Sequence, residues 1–140
     1  MTARSKARKQ ALDILFESDI RNSSPIELLS TRLLDVEGPD ARPVREYAQE
    51  LVTGVVDHQR KIDELISTYA QGWDMDRLPA VDRNVLRIAI YELLWREDIP
   101  DPVAIDEALT LAKLLSTDES AGYIHGVLGR ISSIKTDLSL

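Results

Sequence analysis

Apolar residues recur along most of this chain at intervals of three and four, the spacing that gives a helix one apolar face. The strict alternation that marks a strand is nearly absent. The densest run is Leu78 to Trp95. Pro79 suits a first helical turn, where its missing N–H costs nothing. Projected at 3.6 residues per turn, Val85, Leu86, Ile88, Ala89, Ile90, Leu93 and Leu94 cover nearly the whole circumference. Two narrow polar stripes remain, Arg83/Asn84/Arg87 and Asp82/Glu92/Arg96. A helix apolar most of the way round is buried, and this one carries too much charge to cross a bilayer. The pattern predicts a central helix over 81–95.

The other elements pack around it. A first helix is expected from Ala3 to Ile20, with Ala7, Ala11, Ile14 and Leu15 on one stripe and Leu12 and Phe16 beside it. Ser24-Pro25-Ile26-Glu27 reads as a capping box with proline at the first helical position, and Ile26, Leu29, Leu33 and Leu34 form the face that follows. Gly38-Pro39 should stop it. Tyr47, Ala48, Leu51, Val52, Val55 and Val56 continue the period, which slips at Asp57–Arg60 and resumes at Ile62, so two helices are expected there. Gly72 suits a C-cap, and Trp73–Arg77 a connector. Asp101 should cap the next helix and Pro102 open it. Ser116-Thr117-Asp118-Glu119 opens the last through Ile131. This predicts an all-α bundle of about seven helices in a single domain over 1–140: a basic arm at 1–10, a helical body at 11–133 and a frayed tail at 134–140.

Composition narrows the reading. The 140 residues contain no cysteine, which excludes disulfides, thiolate catalysis and thiolate-bound zinc and fits a reducing cytoplasm. No signal peptide or membrane span is evident. The net charge is −7, yet Arg4, Lys6, Arg8 and Lys9 precede the first acid, Asp13. Cations at a helix N-terminus oppose its dipole. Such a placement points to phosphate, and so to nucleic acid, or else to a solvated tail.

Little else carries chemistry. His58 and His125 have no partners spaced for a triad or a metal pair. Asp106-Glu107 and Asp118-Glu119 are adjacent pairs whose side chains diverge by about 100° on a helix, so neither makes an acid–base dyad. No catalytic residue, metal or cofactor is expected. Gly122, Gly126 and Gly129 fall on one side of the last helix and Gly54 lies in the third. The reading for all four is close helix–helix approach.

Two stretches, LPAVDRNVLRIAIYELLW and IPDPVAIDEALTLAKLLSTDESAGYIHGVLGRI, together with the N-terminal ARSKARKQALDILFESD, resemble the NusB family of bacterial transcription antitermination factors. The resemblance implies an all-helical bundle of two packed subdomains. It also implies a non-enzymatic protein that binds the boxA element of nascent ribosomal RNA with NusE, a small-subunit ribosomal protein, and joins RNA polymerase with other Nus factors. Some members self-associate, so a homodimer is compatible with it. By resemblance, Arg4, Lys6, Arg8, Lys9 and Tyr123 would contact RNA, and Asp82, Phe16 and Glu119 would face the protein partner. On the residues alone, Asp82 and Glu119 equally suit helix starts, while Tyr123 and Phe16 equally suit the core. Two positions depart from the family pattern: His125 and Asp106 stand where Asn is usual. Alternative readings are a helical protein–protein adaptor, or a stand-alone relative of the RNA-docking domain fused to ribosomal RNA cytosine methyltransferases.

Overall fold

The computed structural model describes residues 2–35, 37–39, 41, 43–70, 72 and 77–140. Its centre is a helix over Ala80–Trp95, whose side chains from Val85 to Ile90 are all buried. In chain order the helices are α1 (Ala3–Arg21), α2 (Pro25–Leu34), α3 (Glu46–Tyr69), α4 (Ala80–Trp95), α5 (Asp101–Leu115) and α6 (Asp118–Ile134), followed by one 3-10 turn, Lys135–Asp137. No strand occurs among the described residues. The central α4 touches α1, α3, α5 and α6, so a single core runs through the bundle. Leu86 and Ile90 are completely buried. Each such side chain stabilises the fold by about 1.5–3 kcal/mol relative to exposure.

The helix starts follow local chemistry. Thr2 caps α1 by accepting the Ser5 N–H, and Ser24 caps α2 by accepting that of Glu27. Thr117, one residue later than the expected Ser116, caps α6 by accepting the Ser120 N–H. Pro79 and Pro100 are the residues before α4 and α5 and carry no side-chain cap. Asn22 ends α1 in the left-handed conformation, at φ 56°.

Several expectations are corrected. The helix α3 runs unbroken through Asp57–Arg60, where two helices were expected; the described residues hold six α-helices and a 3-10 turn, close to the expected seven. No glycine or proline interrupts 57–60, and His58 stacks on Trp95 with centroids 4.0 Å apart, so this polar stretch is packed rather than frayed. In α2 only Leu29 is buried, and Leu34 is 84% exposed. That helix ends at Leu34, before Gly38-Pro39, and α3 ends at an Ala70 cap rather than at Gly72. The connector expected at Trp73–Arg77 lies outside the described residues except for Arg77. Residues 134–138, expected to fray, are tied down: Lys135 Nζ meets Asp101 Oδ1 at 2.6 Å, and Leu138 packs on the core.

Candidate nucleic-acid interface

The four cations of the arm part company on folding. Every residue from Ala3 to Gln10 is helical, so side chains four apart share a face. Arg4 and Arg8 share the face turned toward α3 and α4, where the guanidinium carbons of Arg4, Arg8 and Arg96 stand 4.5, 5.7 and 5.0 Å from the Tyr47 ring centre. Arg4 remains half-exposed, with Nη1 3.3 Å from Asp98 Oδ2. Asp98 is also gripped by Arg96 through two donors at 3.0 and 3.1 Å. That grip, reinforced by Arg4, holds the Asp98 carboxyl down to about 2. Lys6 is exposed, and Lys9 reaches Asp13 at 3.2 Å.

Arg8 goes inside. Its side chain is 3% exposed and its partner Glu92 1%. Arg8 Nε donates to both Glu92 oxygens at 3.0 Å, Nη2 lies 2.9 Å from Oε2, and Nη1 lies 3.5 Å from Glu107. The Tyr47 hydroxyl donates to Glu92 as well. Burial alone would lower the Arg8 pKa, but the hydrogen bond and charge of Glu92 outweigh it and raise the value. Ser5 is buried too and donates to Glu107 at 2.7 Å. The expected solvent-facing cluster of four therefore reduces to Arg4, Lys6 and Lys9. Arg8 is the exception, because a phosphate could reach it only by opening a desolvated pair.

A second group gathers at the other end of α4. Asp82 is 3% exposed, and its Oδ2 accepts from Ser120 Oγ at 2.8 Å. Its Oδ1 has no hydrogen-bond partner among the described residues. Asp82 lines a hollow of about 210 Å³ with Pro79, Thr117, Glu119, Ser120 and Tyr123. Glu119 is exposed in the first turn of α6. Tyr123 is half-buried against the core, and burial pushes its hydroxyl pKa up. Phe16 is half-buried on α1, outside the packed core. The fold thus unites Asp82, Glu119 and Tyr123 but not these with the arm. Asp82 and the arm's anchor Glu92 are ten residues apart on α4, roughly 15 Å along the axis.

The glycines divide. The Tyr91 ring lies where a Cβ on Gly54 would stand, as close approach requires. Gly122, Gly126 and Gly129 have open space instead, which corrects the packing expected of them. Gly122 and Gly126 floor a groove with Thr68, Tyr69, Tyr123 and Arg130. His125 and Asp106 are exposed, and no cluster that could hold a metal occurs among the described residues. The sequence reading missed Tyr47, Arg96, Asp98 and Ser120. A signal existed for the first three: Glu92 and Arg96 sit on a polar stripe of a buried helix, and such a stripe requires polar partners.

The sequence model described as the NusB family matches residues 5–133. A transcription antitermination protein NusB from Nocardioides sp. strain JS614 is 50% identical over 139 residues, covering 99% of this chain and all of the relative. The structure of T. maritima NusB superposes with a TM-score of 0.80 at 36% identity, over 98% of this chain and 99% of that one. Antitermination factor NusB, in a crystal structure with NusE and double-stranded RNA, superposes at 0.77 with 29% identity, over 93% and 96% of the two chains.

Proposed function

This chain belongs to the NusB family, and on that footing we propose that it is a transcription antitermination factor of the cytoplasm. It binds boxA-type RNA of nascent ribosomal transcripts together with NusE, and the pair joins RNA polymerase with other Nus factors. The observation that carries this reading is near-complete coverage at 50% identity by a relative bearing the name of an antitermination protein. A structural neighbour caught with both NusE and RNA supports the choice of partners.

Arg4, Lys6 and Lys9 are the accessible phosphate-binding cations, and Arg8 is the buried strut that seats the helix carrying them. Tyr123 offers an aromatic face beside the hollow of Asp82 and Glu119. The unpaired Asp82 Oδ1 is an acceptor suited to a donor from the protein partner, with Phe16 and Glu119 at the margin of that contact. Phosphate contacts position a nucleic acid and contacts to its bases specify sequence, so the arm supplies affinity and Tyr123 a stacking surface.

The test is a titration of boxA RNA with and without NusE over a salt series. For the parent with about three phosphates neutralised, the log–log slope is expected near −2. Arg4→Ala/Lys6→Ala/Lys9→Ala should fold normally, weaken RNA binding sharply and flatten that slope. Unchanged affinity and slope would show the arm to be a solvated tail. Absence of any gain from NusE would return the chain to the plain adaptor reading.

A further inference from the structure

Lys6 and Lys9 also line a larger feature. A cleft of about 680 Å³ runs between α1 and the segment that leads into α3. Arg32 of α2 and Arg45, the N-cap residue of α3, add two more cations to its lining, and Asp13 is the one acid among the described residues that line it. Four cations to one acid among the described lining residues stand out on a chain of net charge −7. The rest of the described lining includes the apolar Ile14, Ala41, Pro43 and Val44.

The cleft is built rather than incidental. Gln10 stitches the far wall to α1: its Nε2 donates to the Pro43 carbonyl at 3.1 Å and its Oε1 accepts the Arg45 N–H at 2.9 Å. Those two bonds fix the backbone that carries Arg45 against the helix that carries Lys6 and Lys9. The Lys6 and Arg45 side chains have no acidic partner among the described residues, while Lys9 pairs with Asp13 at 3.2 Å and Arg32 with Glu17 at 2.5 Å. The Lys9–Asp13 pair is exposed and contributes little, so a phosphate can displace it, whereas the Arg32–Glu17 pair is half-buried.

We propose that this cleft takes the sugar–phosphate backbone of RNA flanking the segment held by the arm, so that the transcript continues across α1 instead of ending at its N-terminus. The inference rests on the reading that the arm binds RNA. Three features favour a strand over a free anion. The cations come from three separate helical segments, the space they enclose is of ligand rather than single-phosphate size, and Lys6 and Lys9 belong to both the arm and the cleft. A lining that mixes apolar side chains with cations suits a ribose–phosphate track. Backbone contacts carry no base information, so the extra affinity should be independent of flanking sequence.

The experiment uses the intact chain with a minimal boxA-type RNA and with the same RNA extended by several uridines at the 5′ or the 3′ end. For the parent, extension at one end should tighten binding about three- to ten-fold and steepen the salt slope by about 0.7 for each phosphate engaged. Arg45→Ala and Arg32→Ala/Arg45→Ala should bind minimal RNA like the parent and lose the gain. Both residues are exposed or half-exposed and neither makes a side-chain cap bond, so circular dichroism should be unchanged. If minimal RNA binds but neither extension helps, or if the double variant keeps the gain, the cleft is not a strand site and the arm reading stands. If inorganic phosphate at matched ionic strength removes the gain while minimal RNA stays bound, the cleft is a free-anion site and the strand proposal fails. If the parent binds no RNA of any length, both fall.

Discussion

Arg8 and Glu92 meet inside the bundle, 84 residues apart in the chain, with Arg8 Nε shared between both carboxylate oxygens at 3.0 Å and the Tyr47 hydroxyl donating to the same carboxylate. The pair fixes α1 against α4 directly beneath the arm. Removing one member of such a pair leaves the other buried and uncompensated. Arg8→Ala should therefore cost about 3–5 kcal/mol in urea denaturation. Arg8→Met/Glu92→Gln should recover much of that, because no charge is then stranded and the new side-chain amide carbonyl still accepts from Tyr47. A four-residue neutralisation of the arm that includes Arg8 would thus destabilise the protein as well as discharge it.

Gly54 and Gly126 should respond in opposite directions to the same substitution. A Cβ at Gly54 overlaps the Tyr91 ring, and overpacking of this kind costs about 1–3 kcal/mol, more than the roughly 1 kcal/mol that alanine contributes to a helix interior. A Cβ at Gly126 meets nothing within 4 Å, so Gly126→Ala should stabilise by about 0.5–1 kcal/mol. Thermal melts of the two variants will show whether their signs differ.

Acid should unfold the protein through its depressed carboxylates. Burial pushes the Asp19 pKa up, but hydrogen bonds from Asn84 and Arg83 and the charges of Arg87 and Arg83 outweigh it, and the net shift is downward. Asp101 shifts down in the same way through Lys135 and Ser132, and Asp98 lies at about 2. A carboxylate with a lowered folded-state pKa stabilises above its ordinary value, here 3.8, and loses that contribution as pH falls through the folded value. The melting temperature should stay level from pH 8 to about 5 and decline between about 4 and 2. Asp19→Asn should lower the plateau and soften the decline.

On the proposed RNA-binding role of the arm, Asp98 is a competitor of phosphate for Arg4. Its carboxylate lies 3.3 Å from Arg4 Nη1 on an open surface. Asp98→Asn should leave the core intact and raise RNA affinity by roughly two- to five-fold, the amount that an exposed ion pair can withhold. Anisotropy titrations at low salt should show the gain, which screening should erase at high salt.

The sequence pattern revealed α4 because an apolar circumference has one interpretation in a folded chain. It also isolated the stripe of Arg83, Asn84 and Arg87, whose partners proved to be Asp19 and Asp63, with Arg87 Nε at 2.8 Å from Asp63. The fate of Arg8 was hidden because a cation in a basic run looks the same whether it is solvated or paired with a residue 84 positions away. The continuity of α3 was hidden because a slip in apolar period at Asp57–Arg60 is also what a helix shows when an aromatic neighbour, here Trp95, covers a histidine. The glycines of α6 misled because low side-chain volume serves an open groove as readily as a helix contact. For the candidate site, resemblance gathered Asp82, Glu119 and Tyr123, but only packing separates the half-exposed Arg4 from the buried Arg8.

The residues that seat the arm are translated long after it. Ser5 reaches Glu107 across 102 positions, Arg4 reaches Asp98 across 94 and Arg8 reaches Glu92 across 84. At a synthesis rate of 5–20 residues per second, roughly 5–20 s separate the arm's emergence from the arrival of its last anchor. During that interval the newborn chain presents loose cations without the scaffold that orders them. A ribosome stalled before position 107 would hold a polypeptide that already carries these cations but cannot yet present their charge in its final arrangement.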